Sequence, residues 1–386
     1  MVKNFTFEYT VPQRIVFGAG KVSLLPQEIQ KFGRRVLLII PESGLDKSLI
    51  NDQFASLEIV RLRIKSEPTL EIITEGVRLA KSEDVEVIVG IGGGSVLDTA
   101  KAIGVLVNNP GEPLDYLEVV GKGKSIQSPG IPVIALPTTA GTGAEVTRNA
   151  VIGVPSHRMK VSLRSAWLLP ALVIIDPELT ISVPPNVTAA TGMDALAQLI
   201  EPYVSIRSNP LTDLYCLEGI RRIAGSLSAA YQDGTDMQAR VDMAFASLLG
   251  GLALANAGLG AVHGVASPIG GMFSAPHGAV CARLLPEVVN HNTLAALSQS
   301  KSHPIIEKYQ RIARIVTGES DADVGDLVDW LYRTVEGLAI PRLGSYGITP
   351  GDIPEIAEKS ESASSMKANP VTLPRERLIE ILEKAL

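Results

Sequence analysis

Cysteine is nearly absent from this chain. Only Cys216 and Cys281 occur in 386 residues, each in an apolar stretch. Their spacing matches no disulfide framework and no zinc knuckle, so both read as buried, reduced thiols. A dominant charge is also missing. The net charge is −6 with acids and bases interspersed, which leaves no basic patch for nucleic acid. Met1 to Thr10 carries Lys3 and Glu8 but no apolar core of an export signal, so the cytoplasm is the expected compartment. Internal repeats and low-complexity linkers are absent. From Met243 to Ala282 there is no Asp, Glu, Lys or Arg. That run is long enough to cross a bilayer, but Asn256, Pro268, Pro276, two histidines and repeated glycines interrupt it. A helix buried in a protein core is the better reading, and no membrane partner is expected.

The length favours two domains. In the first half, the aliphatic runs Val36 to Ile40, Val85 to Val89 and Ile131 to Leu136 alternate with helical spacing at Ile72 to Lys81 and Val96 to Val107. Largely apolar strands separated by helices predict a parallel sheet covered on both faces. Val173 to Ile175 is the last strand expected. After about Ser182 helical patterns follow one another: Val187 to Val204, Asp213 to Ala230, Met237 to Ala257, Ile305 to Val316, Asp326 to Leu338, Asp352 to Ser360 and Arg375 to Leu386. The expected fold class is α/β. A Rossmann-like parallel-sheet domain over residues 1–182 precedes an all-α domain over 183–386, with a ligand cleft between them.

Glycines are plentiful, 35 in all, and two clusters matter. Gly90-Ile91-Gly92-Gly93-Gly94-Ser95 leaves a strand and opens a helix. It is neither the dinucleotide fingerprint, since Ser95 replaces its third glycine, nor a P-loop. The physics is shared: glycines admit close backbone approach, and free N–H groups at a helix start favour a phosphate. Ser95 and Asp98 have the spacing of a capping box. A second loop, Pro137-Thr138-Thr139-Ala140-Gly141-Thr142-Gly143-Ala144-Glu145, follows the next strand with three hydroxyls. Ligands bind at that edge of open parallel sheets, so two such loops together point to a dinucleotide.

Histidine is scarce, with five in the chain. His263 and His277 both lie in the uncharged run, each beside a glycine. Asp194 sits in an apolar helical segment, Thr191 to Gln198, where a buried carboxylate needs a partner. One Asp and two His form a normal set for zinc or ferrous iron. Their convergence is an expectation from chemistry, not from spacing.

In combination and order, these segments resemble the iron-containing (group III) alcohol dehydrogenases over essentially the whole chain. The marks are Gly92 to Ser95 through Asp98-Thr99-Ala100-Lys101, Pro137 to Gly143, Gly192-Met193-Asp194-Ala195-Leu196, Leu259 to His263, and Pro276-His277-Gly278. The resemblance implies a dehydroquinate-synthase-like fold, usually a homodimer. It further implies NAD(P) on the N-terminal domain, with Fe(II) or Zn(II) held by the helical one. By matching position, Gly92, Gly93, Gly94 and Ser95 would meet the pyrophosphate, with Asp98 beside them. Thr138, Thr139 and Thr142 would line the cofactor, and Lys160 would lie near its ribose. The metal ligands would be Asp194, His263 and His277, with His277 also counted among the catalytic residues.

Three positions depart from the family's pattern. Gln198 replaces a ligand His one turn after Asp194; its amide oxygen is a weaker candidate ligand on the same helix face. Ser267 replaces a His associated with proton transfer, so a relay would pass through Ser267, water or a ribose hydroxyl. Pro41 stands where many NAD-preferring members carry an Asp. The neighbouring Glu42 is the remaining acid for the ribose, which leaves NADP open. The expected activity is hydride transfer between a small alcohol and its aldehyde or ketone, with the substrate oxygen on a divalent metal. The alternatives are a metal-independent reductase similar to maleylacetate reductases, a lyase of the dehydroquinate synthase type, and a binding protein without turnover. Asn149, Val151, Phe273 and Cys281 are expected near the cleft walls.

Overall fold

The computed structural model describes residues 6–43, 54–65, 67–157 and 159–386. Lys3, named above in the N-terminal segment, lies outside them. The chain divides into two compact units. One comprises Thr10–Thr139 and Gly143–Ile181. The other comprises Ser182–Leu386 together with residues 6–9 and Ala140–Thr142.

The first unit is built on a parallel sheet. Its strands are β1 (Ile15–Phe17), β2 (Arg35–Pro41), β3 (Glu58–Ile64), β4 (Val87–Gly92), β5 (Val133–Pro137) and β8 (Leu172–Ile175). They lie in the order β1-β8-β5-β4-β2-β3. The central strands are apolar along their length because both faces are covered: every residue of β4 and β5 is buried. Helices α1 (Leu25–Gln30), α2 (Leu70–Ser82) and α3 (Gly94–Leu106) connect them. From β2 the chain passes to β3 on one side, then returns through α2 to β4 on the other. The strand order therefore reverses between β2 and β4, where the C-terminal strand ends of an open α/β sheet bind ligands.

Two features of this unit differ from expectation. Helix α3 is capped by the backbone of Gly93, with no side-chain cap. Ser95 lies inside the helix and its carbonyl accepts from Thr99 Oγ1 at 2.8 Å. The Ser95–Asp98 capping box is absent because the helix starts two residues too early for it. Four strands also escaped the sequence reading. β1 has only three residues, and β3 is an edge strand carrying Arg61 and Arg63. The other two, β6 (Asn149–Val154) and β7 (Met159–Arg164), form an antiparallel hairpin outside the main sheet.

Lys101 fastens that hairpin to α3. Its side chain is 0% exposed and pairs with Asp98 at 2.9 Å. Its Nζ also donates to Ala144 O (2.7 Å), Thr147 Oγ1 (3.0 Å) and Asn149 O (2.5 Å). Asp98 Oδ2 in turn accepts from the Val151 N–H at 2.9 Å. A buried ammonium is tolerated only when paired and fully hydrogen-bonded, and this one is.

The second unit is helical: α4 (Pro185–Val204), α5 (Pro210–Gln232), α6 (Met237–Ala257), α7 (Ala261–Met272), α8 (His277–Gln299), α9 (Pro304–Thr317), α10 (Val324–Gly337), α11 (Ile353–Glu361) and α12 (Arg375–Ala385). From Thr188 onward α4 is buried on nearly every side, which makes it the axis of this core. The uncharged run folds as the end of α6, all of α7 and the start of α8. Helices α6 and α7 meet at 98°, and among the described residues no single helix is long and apolar enough to cross a membrane.

Candidate metal centre

Helix periodicity sets the site. Asp194, Gln198 and Glu201 follow one another at i, i+4 and i+7, one face of α4. Opposite them, α7 supplies His263 in its first turn, while α8 supplies His277 as its first residue and Cys281 one turn on. Gly278 permits this approach. A Cβ there would sit 2.1 Å from the Ala190 carbonyl oxygen and 3.2 Å from Asp194 Cβ, so any side chain would push α8 off α4.

Asp194 Oδ1 lies 3.3 Å from His263 Nε2 and 3.7 Å from His277 Nε2. Cys281 Sγ lies 3.6 Å from His277 Nε2 and 3.9 Å from His263 Nε2. One donor atom from each of these four residues falls within 4.8 Å of the others. Asp194 is 2% exposed, yet its Oδ1 has no hydrogen-bond partner, and Gln198 Oε1 is likewise buried without one. A buried carboxylate oxygen in that state is costly unless a cation completes it.

Glu201 holds the cluster from behind. Its Oε2 is 2.5 Å from His263 Nδ1, and its Oε1 accepts from the Val262 N–H at 2.7 Å, at the positive start of α7. An Nδ1–H donated to Glu201 leaves the Nε2 lone pair facing Asp194. Gln198 Nε2 donates to Asp194 Oδ2 at 3.0 Å.

The electrostatics favour positive charge. Burial opposes an imidazolium at His263, but Cys281, Glu201 and Asp194 raise its pKa well above the ordinary value. Cys281 and Asp194 raise that of His277 to about 9 against burial. The Asp194 carboxyl is lowered despite burial, through His277 and His263. A site that draws protons onto two imidazoles supplies the field a divalent cation needs. Two nitrogens, a carboxylate and a sulfur fit zinc or ferrous iron.

In the first unit, the two hydroxyl- and glycine-rich loops are neighbours. The Thr138 N–H donates to Gly92 O at 3.0 Å, and a Cβ on Gly93 would lie 3.4 Å from Thr139 Oγ1. Pro41 and Glu42 sit at the C-terminal end of β2, beside β4. Lys160, on β7, pairs with Glu67. Thr142 groups with the helical unit. Ser267 is exposed, one turn beyond His263.

Two family models account for nearly the whole chain: "Iron-containing alcohol dehydrogenase" matches residues 12–177, and "Fe-containing alcohol dehydrogenase family, C-terminal" matches residues 188–386. The chain belongs to the iron-containing alcohol dehydrogenase family. Among its relatives in this family is the choline dehydrogenase of Bacillus subtilis (strain 168), 34% identical over 96% of this chain and 92% of that protein. The structure of a 1,3-propanediol oxidoreductase superposes with a TM-score of 0.91 at 31% identity, covering 99% of this chain and 100% of that one. A sulfoacetaldehyde reductase from Bifidobacterium kashiwanohense, solved in complex with NAD+, superposes with a TM-score of 0.85 at 26% identity, covering 98% of each chain. Membership makes this chain an alcohol and aldehyde oxidoreductase working with NAD(H) and a divalent metal. The iron-containing alcohol dehydrogenase fold, a parallel-sheet unit followed by a helical one, is the fold expected from the sequence.

Two residues at this centre were given no part in it from sequence: Glu201, and Cys281, which was expected only near the cleft walls. Glu201 carries a readable signal, its i+7 spacing from Asp194, which turns an apparent surface acid into a buried partner for His263. Cys281 read as an inert thiol, although its i+4 spacing from His277 places it on the same face of α8.

Proposed function

We propose that this enzyme interconverts small primary alcohols and their aldehydes, using NAD(H) on residues 1–182 and a divalent metal on residues 183–386. The observation that carries the reading is the convergence of Asp194, His263 and His277 around one unpartnered carboxylate oxygen. When bound, the metal supplies Lewis acidity toward the substrate oxygen, and the nicotinamide supplies hydride-transfer chemistry.

The chain's residues position and polarise. Glu201 fixes the His263 tautomer, and Gln198 steadies Asp194 through its amide N–H while its own oxygen remains a candidate ligand. Gly92, Gly93, Gly94 and Ser95 offer backbone N–H groups at the start of α3 to the pyrophosphate, with Thr138, Thr139 and Thr142 along the cofactor. Asp98 holds the β6–β7 hairpin to α3 through the Val151 N–H and Lys101, and stays a candidate on the cofactor side of the loop. Lys160 remains the candidate for the nicotinamide ribose, and exposed Ser267 for passing a proton to water. A cytoplasmic homodimer completes the reading; light scattering that returns a monomer's mass would remove the dimer.

The deciding assay is alcohol-dependent NADH formation across primary alcohols and diols, before and after chelation, with metal content measured on the same sample. Loss of activity on chelation and recovery with Zn(II) or Fe(II) is expected. Gln198, in place of a ligand histidine, favours a metal-independent reductase as the second reading. Full activity in chelated protein would select it.

Nucleotide choice rests on Glu42. Its N–H extends the β2–β3 ladder to Ile64 O at 2.8 Å, while its exposed carboxylate lies 3.8 Å from Lys65 Nζ. We propose that Glu42 disfavours a 2′-phosphate by charge and that Lys65 partly offsets it, so NADP is used but poorly. Glu42→Gln is expected to shift the kcat/KM ratio toward NADP by ~10-fold, roughly 1.4 kcal/mol. An unchanged ratio would remove Glu42 from cofactor selection.

A further inference from the structure

We propose that Cys281 Sγ is the fourth protein ligand of the metal centre. It completes an Asp194–His263–His277–Cys281 donor set that selects a thiophilic divalent ion, such as zinc, over iron. This deepens the proposed function and rests on its assignment of Asp194, His263 and His277 to the metal.

The spacing of the donor atoms carries the argument. Around tetrahedral zinc, with Zn–N near 2.0–2.1 Å and Zn–S near 2.3 Å, neighbouring nitrogen and sulfur ligands stand about 3.6 Å apart and nitrogen and oxygen about 3.4 Å. The corresponding separations are 3.6 and 3.9 Å for Cys281 Sγ to the two Nε2 atoms. For Asp194 Oδ1 to the same nitrogens they are 3.3 and 3.7 Å. These four separations match four edges of an ion-sized tetrahedron, and all the donor atoms lie within 4.8 Å of one another.

The orientation of Gln198 supports the same assignment. Its amide N–H, which cannot ligate, faces Asp194, and this hydrogen bond fixes the carboxylate for coordination. Charge agrees as well. A buried divalent ion bound by Asp194, Gln198 and two neutral imidazoles keeps a formal charge of +1, whereas a thiolate in place of the amide brings the inner set to zero. Glu201 does not alter that preference, because its charge is met by His263 Nδ1–H and two backbone N–H groups at the start of α7. Binding forms the metal–sulfur bond and releases the thiol proton to solvent. Soft sulfur in a set otherwise made of nitrogen and oxygen shifts selection toward zinc.

Cobalt substitution tests this. The Co(II)-loaded wild-type protein is expected to show a sulfur-to-cobalt charge-transfer band in the near ultraviolet. Gln198→Ala and Cys216→Ser are expected to keep the band and Cys281→Ser to lose it. Zinc affinity in Cys281→Ser should fall by more than about 100-fold, beyond the 10–100-fold typical of an outer-shell partner. A wild-type protein that binds cobalt without this band overturns the proposal while leaving the metal-dependent reading intact. A wild-type protein that takes up no cobalt overturns both. The wild-type spectrum decides even if Cys281→Ser does not fold.

Discussion

Replacing His263 or His277 with alanine is expected to strip the enzyme of metal and turnover together. Each histidine contributes one of four clustered donors, the others being Asp194, Cys281 and the second histidine, so its loss removes one of only two nitrogen ligands. The His263 change costs more than a ligand. It leaves Glu201 Oε2, now 2.5 Å from Nδ1, without its strongest partner in a buried pocket. Loss of the Lewis acid removes several kcal/mol of transition-state stabilisation, so kcat/KM should fall by at least about a thousandfold, or ~4 kcal/mol. Metal analysis by mass spectrometry and steady-state kinetics on the same preparation provide the check. The reading fails if either variant retains turnover. Fluorescence titration with NADH separates this loss from unfolding, since Gly92 to Ser95, Thr138 and Thr139 belong to the other unit and should still bind nucleotide.

Much of the architecture was legible because burial on both faces leaves a plain mark. The runs that became β2, β4 and β5 are nearly continuous aliphatics, and their ends lie within three residues of the observed strands. Several helices were readable too: Met237–Ala257, buried on nearly every side in its second half, has the bounds expected for it, and the one-faced Ile305 to Val316 lies within α9. What escaped had no such pattern. β3 alternates Arg61 and Arg63 with apolar residues at a sheet edge, and the β6–β7 hairpin mixes Gly153, Lys160 and exposed Val151. α7 and the start of α8 lie in a stretch too uniformly apolar to show a period. Pro268 read as an interruption of the apolar run, yet it lies inside α7.

The site shows the same division. Asp194, His263 and His277 could be proposed because charge and imidazole are conspicuous in apolar surroundings. Their meeting point could not be derived, since α4, α7 and α8 come together only through packing such as that of Gly278 on Ala190. Cys281 escaped for the opposite reason: a thiol among aliphatics looks like one more small apolar residue.

Lys101→Met carries the second large expected effect, on stability rather than chemistry. The lysine lies within the Asp98-Thr99-Ala100-Lys101 segment that marks the family in sequence, and its side chain is fully buried between α3 and the start of the β6–β7 hairpin. Methionine fills similar volume but leaves Asp98 without its counter-charge and takes the ammonium donor away from three oxygens. Breaking a buried pair by removing one partner costs roughly 3–5 kcal/mol. For a unit of this size that lowers the midpoint of thermal unfolding by roughly 10 °C. The deficit should also depend on pH, through Glu145. Burial raises that carboxyl from 4.5 to about 7, and Lys101 is among the groups that restrain the rise. An acid whose folded pKa is raised above its unfolded one is destabilising when ionised. The penalty is absent below the unfolded value and complete above the folded one. Without Lys101 the folded pKa climbs further, so the extra penalty accrues above pH ~7 and disappears as pH falls toward 5. Melting curves of wild type and Lys101→Met at pH 5.5 and 8.5 should therefore differ more at the higher pH. A gap under about 1 kcal/mol at both would mean that Lys101 is not the fastening between α3 and the hairpin.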